Sequence, residues 1–283
     1  MPVTHNTGQN YWPRVSRDRR WLAYESDRAH AWDIWLLDLQ TGSERPLTRD
    51  AAVNLTPEWA PDGRSVSFIS NRDGKFRVWV MDIEHGRQQR LFEQPVHAPS
   101  AISFGAGEME RVHGWSPDGR EIGFIADTST GPALWIADSH GNNARQVAAG
   151  VLGFDWYRDA RHIIYTRICP DGSWTRELML RDLETGNEQV LYRGPHMDIA
   201  AARDGTAILF CYSASHSDQS LFILPVAQRV GENLPRAAGE PRRLAGGKGL
   251  WHAHHGSWSP DGKTVFYARD YIEGDIYLIE NYR

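Results

Sequence analysis

Six aspartates, Asp18, Asp62, Asp118, Asp159, Asp204 and Asp261, divide the 283-residue chain at intervals of 44, 56, 41, 45 and 57 residues. A period of that length calls for a repeat architecture before any other reading. Trp59, Trp115, Trp156 and Trp258 each stand three residues before their aspartate, whereas the copies "VSRDR" and "AARDG" lack the tryptophan. A second signal keeps step with the first. Trp35, Trp79, Trp135, Met179, Phe222 and Tyr277 follow the aspartates by 16 to 20 positions, in alternating segments such as "DIWLLD" and "RVWVMD". Such alternation is strand periodicity. Between the two signals lies another strand-like run, such as "WLAYES" or "SVSFIS", and after the second come turn sequences such as "LQTG" and a short final strand. Each unit therefore reads as four short strands. Pro-Asp-Gly makes the first turn, with proline fixing φ and glycine taking positive φ. Six such units predict an all-β chain: a six-bladed β-propeller with four-stranded blades, in which residues 1–283 form a single propeller domain.

The turns "WSPDG" followed by Lys or Arg, with Ser26-Asp27-Arg28 and Ser70-Asn71-Arg72 after the second strand, resemble the repeats of the TolB propeller family. The resemblance runs over essentially the whole chain and implies a fold more than an activity. The N-terminus fits the same frame. "MPVTHNTGQNYWPRVSRDR" aligns without gaps to "RPLTRDAAVNLTPEWAPDG", matching Pro2 with Pro46, Thr4 with Thr48 and Asn10 with Asn54. The last unit runs out of chain at "DIYLIENYR", its third strand. Residues 2–5 are therefore expected to supply its outer strand and close the ring.

Composition narrows the function. A formal net charge of −5 offers a phosphate backbone no broad basic surface, so no nucleic-acid partner is expected. Cys169 and Cys211 form no disulfide framework and no C-x-x-C pair. No apolar run nears the roughly 20 residues that span a bilayer. The N-terminus shows neither a basic nor an apolar signal region. The expected location is cytoplasmic as written, or periplasmic if a signal peptide has been removed. No phosphate loop or dinucleotide fingerprint is present, so no nucleotide cofactor is expected.

The innermost strand of each blade lines the axis, and its two faces alternate. Counting back from each aspartate, the odd positions are mostly apolar, with Arg111, His113 and His254 as exceptions. The even positions hold Arg14, Glu58, Asp155, Asp198, His196 and His255, among other polar residues. These six are the candidate catalytic residues, pointing inward together. Solvated channel lining is the plain alternative. The run "WHAHH" adds His252 and His254, giving His196, Asp198, His252, His254 and His255 as candidate ligands for a divalent metal: Mn, Fe, Ni or Zn. On the alternating register, however, His254 and His113 face the core, where a packing histidine is expected. The four tryptophans before the turn aspartates are expected to pack between blades.

Histidines alternating along an inner strand resemble the metal centre of oligogalacturonate lyases, propellers built from this type of repeat. This chain departs from that pattern in lacking a seventh blade and a glutamine beside "GLWHAHH". Long connections at residues 93–110, in "AGGKGL", in "ICPDGSWTRE" and in "SASHSDQS" cluster on the face where the inner strands begin. Long loops over a concave mouth are where a ligand is expected. The resulting expectation is a pocket at the channel mouth for a metal, or an acidic or sugar-like small molecule, or both, acting as a lyase, isomerase or hydrolase. The alternative is a non-enzymatic TolB-like scaffold that holds a protein or peptide at the same mouth.

Overall fold

The repeat aspartates close the turn between the first two strands of each unit. Asp62 Oδ1 accepts the N–H groups of Arg64 and Ser65 at 2.8 and 2.9 Å. In four units the following residue is a glycine at positive φ: Gly63, Gly119, Gly205 and Gly262, at 66°, 75°, 72° and 67°. In the first unit, where glycine is absent, Arg19 takes φ 61°.

The computed structural model describes residues 2–5, 8–97, 110–169, 175–215, 218–246, 252–270 and 275–280. Its strands form six antiparallel sheets, numbered here in chain order. The inner strands are Asn10–Val15, Asn54–Trp59, His113–Trp115, Val151–Trp156, His196–Ala201 and His252–Trp258. Sheets one to four have four strands each. Sheet five has five, because Arg236–Ala237 and Arg242–Ala245 share its outer position. Sheet six has three: His252–Trp258, Thr264–Asp270 and Asp275–Glu280.

The expectation of six four-stranded blades is thus corrected to five complete blades and a three-stranded sheet. The reason lies in the chain, which has only three described strands after residue 251. At the N-terminus Pro2 forms an isolated β-bridge, and Val3 packs on the cluster that contains Phe266 and is also touched by Leu278. Inner strands of consecutive sheets contact each other all the way round, sheet six against sheet one.

The expected inter-sheet role of the tryptophans holds. Trp59, Trp156 and Trp258 each donate the indole N–H to a carbonyl of the preceding sheet: Arg14 O at 2.8 Å, Gly114 O at 2.9 Å and Ala200 O at 3.0 Å. Trp115 donates to Ser67 Oγ at 2.9 Å. Apolar clusters fill the spaces between sheets; Ala23, Ile34 and Leu36 of sheet one meet Val66, Phe68 and Met81 of sheet two. Fully burying a side chain such as Phe68 stabilises by roughly 1.5–3 kcal/mol. Among the described residues no helix is long and apolar enough to cross a membrane.

One irregularity recurs at the axis. In sheets one, two, five and six the inner strand carries a bulge, in which two residues oppose one on the neighbouring strand. The first residue of each bulge has positive φ: Trp12 at 53°, Thr56 at 50°, Asp198 at 54° and His255 at 53°. None is glycine, so each stores backbone strain. An extra residue reverses the alternation of faces before it. That reversal decides where the candidate side chains go.

Candidate metal centre and axial charge ring

Arg14, Glu58 and Asp155 stand after the bulges or beyond their reach, and they point toward one another as the alternation requires. Arg14 Nε donates to Glu58 Oε1 at 2.8 Å. Arg111 donates to Glu58 Oε2 at 2.7 Å and also pairs with Asp155. Asp155 Oδ2 accepts the Ala201 N–H at 2.9 Å. The ring thereby ties sheets one to five together. Burial pushes the Glu58 carboxyl upward, but Arg111 and Arg14 outweigh it and hold it below the usual carboxylate range. Burial, opposed by Glu58, lowers the Arg111 guanidinium to about 10. Arg111 had been assigned to the core-facing register, and that assignment is corrected.

His196 and His254 exchange faces for the same reason. Cα pairing of His196 with Tyr212 and of Ala201 with Ile208 puts His196 on the face of Ala201, toward the core. Its ring lies 5.7 Å from both Tyr192 and Phe210, and its Nδ1 bonds Gly194 O at 2.9 Å. His254, by contrast, pairs with Ala268 as Ser257 does with Phe266, which turns it to the axial face. The expected grouping of His255, His196 and Asp198 is therefore replaced by His254, His255 and Asp198, whose ligand atoms lie within 4.8 Å of one another. His252 is half-buried at the start of its strand and outside this group. His113 stays in the core, hydrogen-bonded to Ser67 Oγ at 3.1 Å.

Within the group the two imidazoles share one hydrogen bond between their Nδ1 atoms, at 2.9 Å. His255 Nε2 stands 3.7 Å from Asp198 Oδ2, and that oxygen accepts the His255 N–H at 3.4 Å. His255 Nε2 and Asp198 Oδ1 are buried and have no hydrogen-bond partner among the described residues. Such orphans are costly unless a ligand or ion satisfies them. Burial, joined by the charge of Glu110, pushes the Asp198 carboxyl well above the usual range. Burial lowers His254 to about 3 and holds His255 well below the usual imidazole range.

Aromatic rings enclose the group: Trp12 stacks on His255 at 4.5 Å, and Tyr11 lies 5.2 Å from His254. Tyr11, Trp12, Asp198, His254 and His255 are all buried. Among the described residues the axial group is thus enclosed. The loops expected to roof the channel mouth, 93–110, 168–177, 213–220 and 245–250, lie partly outside the described residues.

Sequence reasoning counted Glu110 among the inward-facing polar residues but did not foresee that it and Glu25 hold the bulges. Glu25 Oε2 accepts the Thr56 N–H at 2.7 Å. Glu110 Oε2 accepts the Asp198 N–H at 3.0 Å, while Arg176 pairs with its other oxygen. Each carboxylate reaches a bulge in a different sheet from its own. The only sequence sign of Glu25 was a charge inside an otherwise apolar strand.

Comparison with known proteins agrees with this architecture. Residues 1–109 match the family model described as the TolB beta propeller domain. Solved structures of proteins named TolB superpose along nearly the whole chain. The Acinetobacter baumannii protein has a TM-score of 0.68 at 16% identity, covering 96% of this chain and 61% of its own. The Agrobacterium tumefaciens protein has a TM-score of 0.70 at 16% identity, covering 98% and 92%. Residues 1–109 are thus similar to the TolB propeller family, and the chain as a whole shares its β-propeller fold. It spans less than two thirds of the Acinetobacter protein. An oligogalacturonate lyase in complex with manganese is also similar, with a TM-score of 0.62 at 17% identity and coverage of 99% and 92%. At these identities the likeness is one of fold. No curated protein matches the chain.

Proposed function

We propose that Asp198, His254 and His255 hold a divalent metal ion inside the propeller axis. The observation that carries this is the pair of buried orphans, His255 Nε2 and Asp198 Oδ1, in a group of three donors from adjacent sheets. Two imidazoles and a carboxylate suit Mn, Fe, Ni or Zn. The fold likeness to a lyase that binds manganese supports the reading. The bound ion would supply Lewis-acid polarisation of an acidic or sugar-like small molecule, as lyases, isomerases and hydrolases use it. The chain's own residues exclude water and fix the ligands. Trp12 and Tyr11 wall the group, and Glu110 anchors the Asp198 backbone. Arg14, Glu58, Arg111 and Asp155 balance two charges of each sign, so their role is to brace the sheets.

Protein purified without a His-tag, incubated with Mn²⁺ or Zn²⁺ and desalted, is expected to retain close to one ion per chain by mass spectrometry. Asp198→Asn and His255→Ala should each lose the ion while keeping the far-ultraviolet spectrum of the fold. Wild-type protein that stays metal-free under both conditions would refute the metal reading. A second reading, a TolB-like protein-interaction scaffold, is favoured by the enclosed axial group and would then be the better one.

We also infer that residues 2–5 serve as the fourth strand of sheet six and that residues 1–283 act as one propeller domain. The bridge at Pro2 and the packing of Val3 support this. Deleting residues 1–6 should expose the outer edge of sheet six, lowering the melting temperature and promoting aggregation. An unchanged melting temperature would count against closure by this segment.

A further inference from the structure

In sheets one and two an arginine of the chain itself caps the aromatic pair at the centre of the sheet. Tyr24 pairs with Trp35 and Phe68 with Trp79 across the second and third strands. Four residues after Tyr24 and Phe68 come Arg28 and Arg72. Arg28 lies 4.0 Å above the Trp35 ring and Arg72 4.7 Å above Trp79. Each guanidinium then reaches a polar partner on the outer strand: Glu44 for Arg28 and Gln88 for Arg72. In sheet five Arg243, paired with Phe222 across the outer strand, stacks over that ring at 5.6 Å.

Sheet three has the aromatic pair, Phe124 with Trp135, but no stacked guanidinium is found there among the described residues. Thr128 stands four residues after Phe124, where an arginine stands in the first two sheets. Outer-strand pairing of Trp135 with Gln146 and Ile136 with Arg145 brings Ala144 to the place of Glu44 and Gln88. Phe124, Trp135 and Ala144 are all walls of one cavity of about 650 Å³, completed by Phe92, Glu93, Asn142 and Asn143 among others. Phe92 packs on Phe124 at 4.7 Å, so the part of the seat that arginine leaves open lies over Trp135, where it borders a larger space.

Arg90, the arginine of the cavity wall, is matched by Asp73 and Glu93, and Asp73 also pairs with Arg77, so these charges balance and no cation of the wall is left unmatched. A planar cation gains from the ring face.

We propose that this cavity binds the guanidinium group of an arginine, stacked on Trp135 as Arg28 is on Trp35. The site is remote from the axial histidines and stands apart from the metal reading. The test follows indole N–H cross-peaks by NMR, with the Trp135 peak assigned by its loss in Trp135→Phe. Titration with N-acetyl-arginine amide is expected to shift that peak saturably. N-acetyl-lysine amide and the uncharged N-acetyl-citrulline amide should bind about tenfold more weakly. Gln146→Arg, which puts a guanidinium opposite Trp135 as Arg243 is opposite Phe222, should abolish the shift and leave the other indole peaks in place. Gln146 is exposed, so this variant tests occupancy rather than folding. If free L-arginine saturates the site as well as the capped form, the ligand is the amino acid; if only the capped form does, it is an arginine within a peptide. No shift with either form, equal affinity for lysine or citrulline, or an undiminished shift in Gln146→Arg would overturn the proposal.

Discussion

Glu58→Ala is expected to destabilise the protein by about 3–5 kcal/mol, the usual cost of breaking a buried ion pair by removing one partner. Glu58 receives Arg14 at 2.8 Å and Arg111 at 2.7 Å, and all three side chains are about a tenth exposed or less. Without it, Arg14 loses its carboxylate partner in the ring and Arg111 keeps only its pair with Asp155 there. Their repulsion is already felt, since Arg14 contributes to lowering Arg111. Glu58→Gln keeps an acceptor but not the charge and should fall between the two. Replacing Arg14, Glu58 and Arg111 with apolar residues and Asp155 with asparagine should together cost much less than Glu58→Ala, because no charge of the ring is then stranded. Chemical denaturation of the three variants checks this. A loss below about 1 kcal/mol for Glu58→Ala would place the ring among ordinary surface pairs.

The repeat unit was legible because its signals are local, although six complete blades were expected and five are seen. Aspartate and glycine set a turn, alternation sets a strand, and the tryptophan before each turn needs only an acceptor in the preceding sheet. The axial site was legible in kind but not in membership. Asp198, His254 and His255 all stood among the candidate ligands, yet His196 and His252 were included with them and the register turned His254 toward the core. The error came from treating the inner strand as regular. A bulge at Trp12, Thr56, Asp198 and His255 has no glycine to announce it, and it inverts the two positions before it. Arg111 was misassigned by the same count, although His113, nearer the turn, was read correctly. What stabilises the bulges is still less local. The carboxylates that accept the Thr56 and Asp198 N–H groups come from 31 and 88 residues away. No pattern within one repeat carries that information. The arginine missing from sheet three, in contrast, can be seen in the sequence once the repeats are superposed, but its meaning required the cavity.

Glu25→Gln is expected to gain stability relative to wild type as pH rises, by about 3 kcal/mol between pH 5 and 8. Glu25 is fully buried, and burial raises its carboxyl from 4.5 to about 8 against the opposing pull of the Thr56 N–H and of Arg14. The sign follows from proton counting. Between 4.5 and about 8 the folded chain holds a proton on Glu25 that the unfolded chain has released. The contribution of Glu25 is therefore fully present below 4.5 and is lost as pH rises through about 8. Glutamine cannot ionise, and its carbonyl can still accept the Thr56 N–H at the 2.7 Å position. Buried His113, His196 and His254, lowered to about 4, 3 and 3, act in the opposite direction below pH 6.5. They are common to both proteins, so they cancel in the difference between variant and wild type. Urea denaturation of both proteins at intervals from pH 5 to 8 measures that difference directly. A difference independent of pH would mean that Glu25 is ionised in the folded state throughout this range. Arg14, which already bonds Glu58, would then have to stabilise a second buried carboxylate as well.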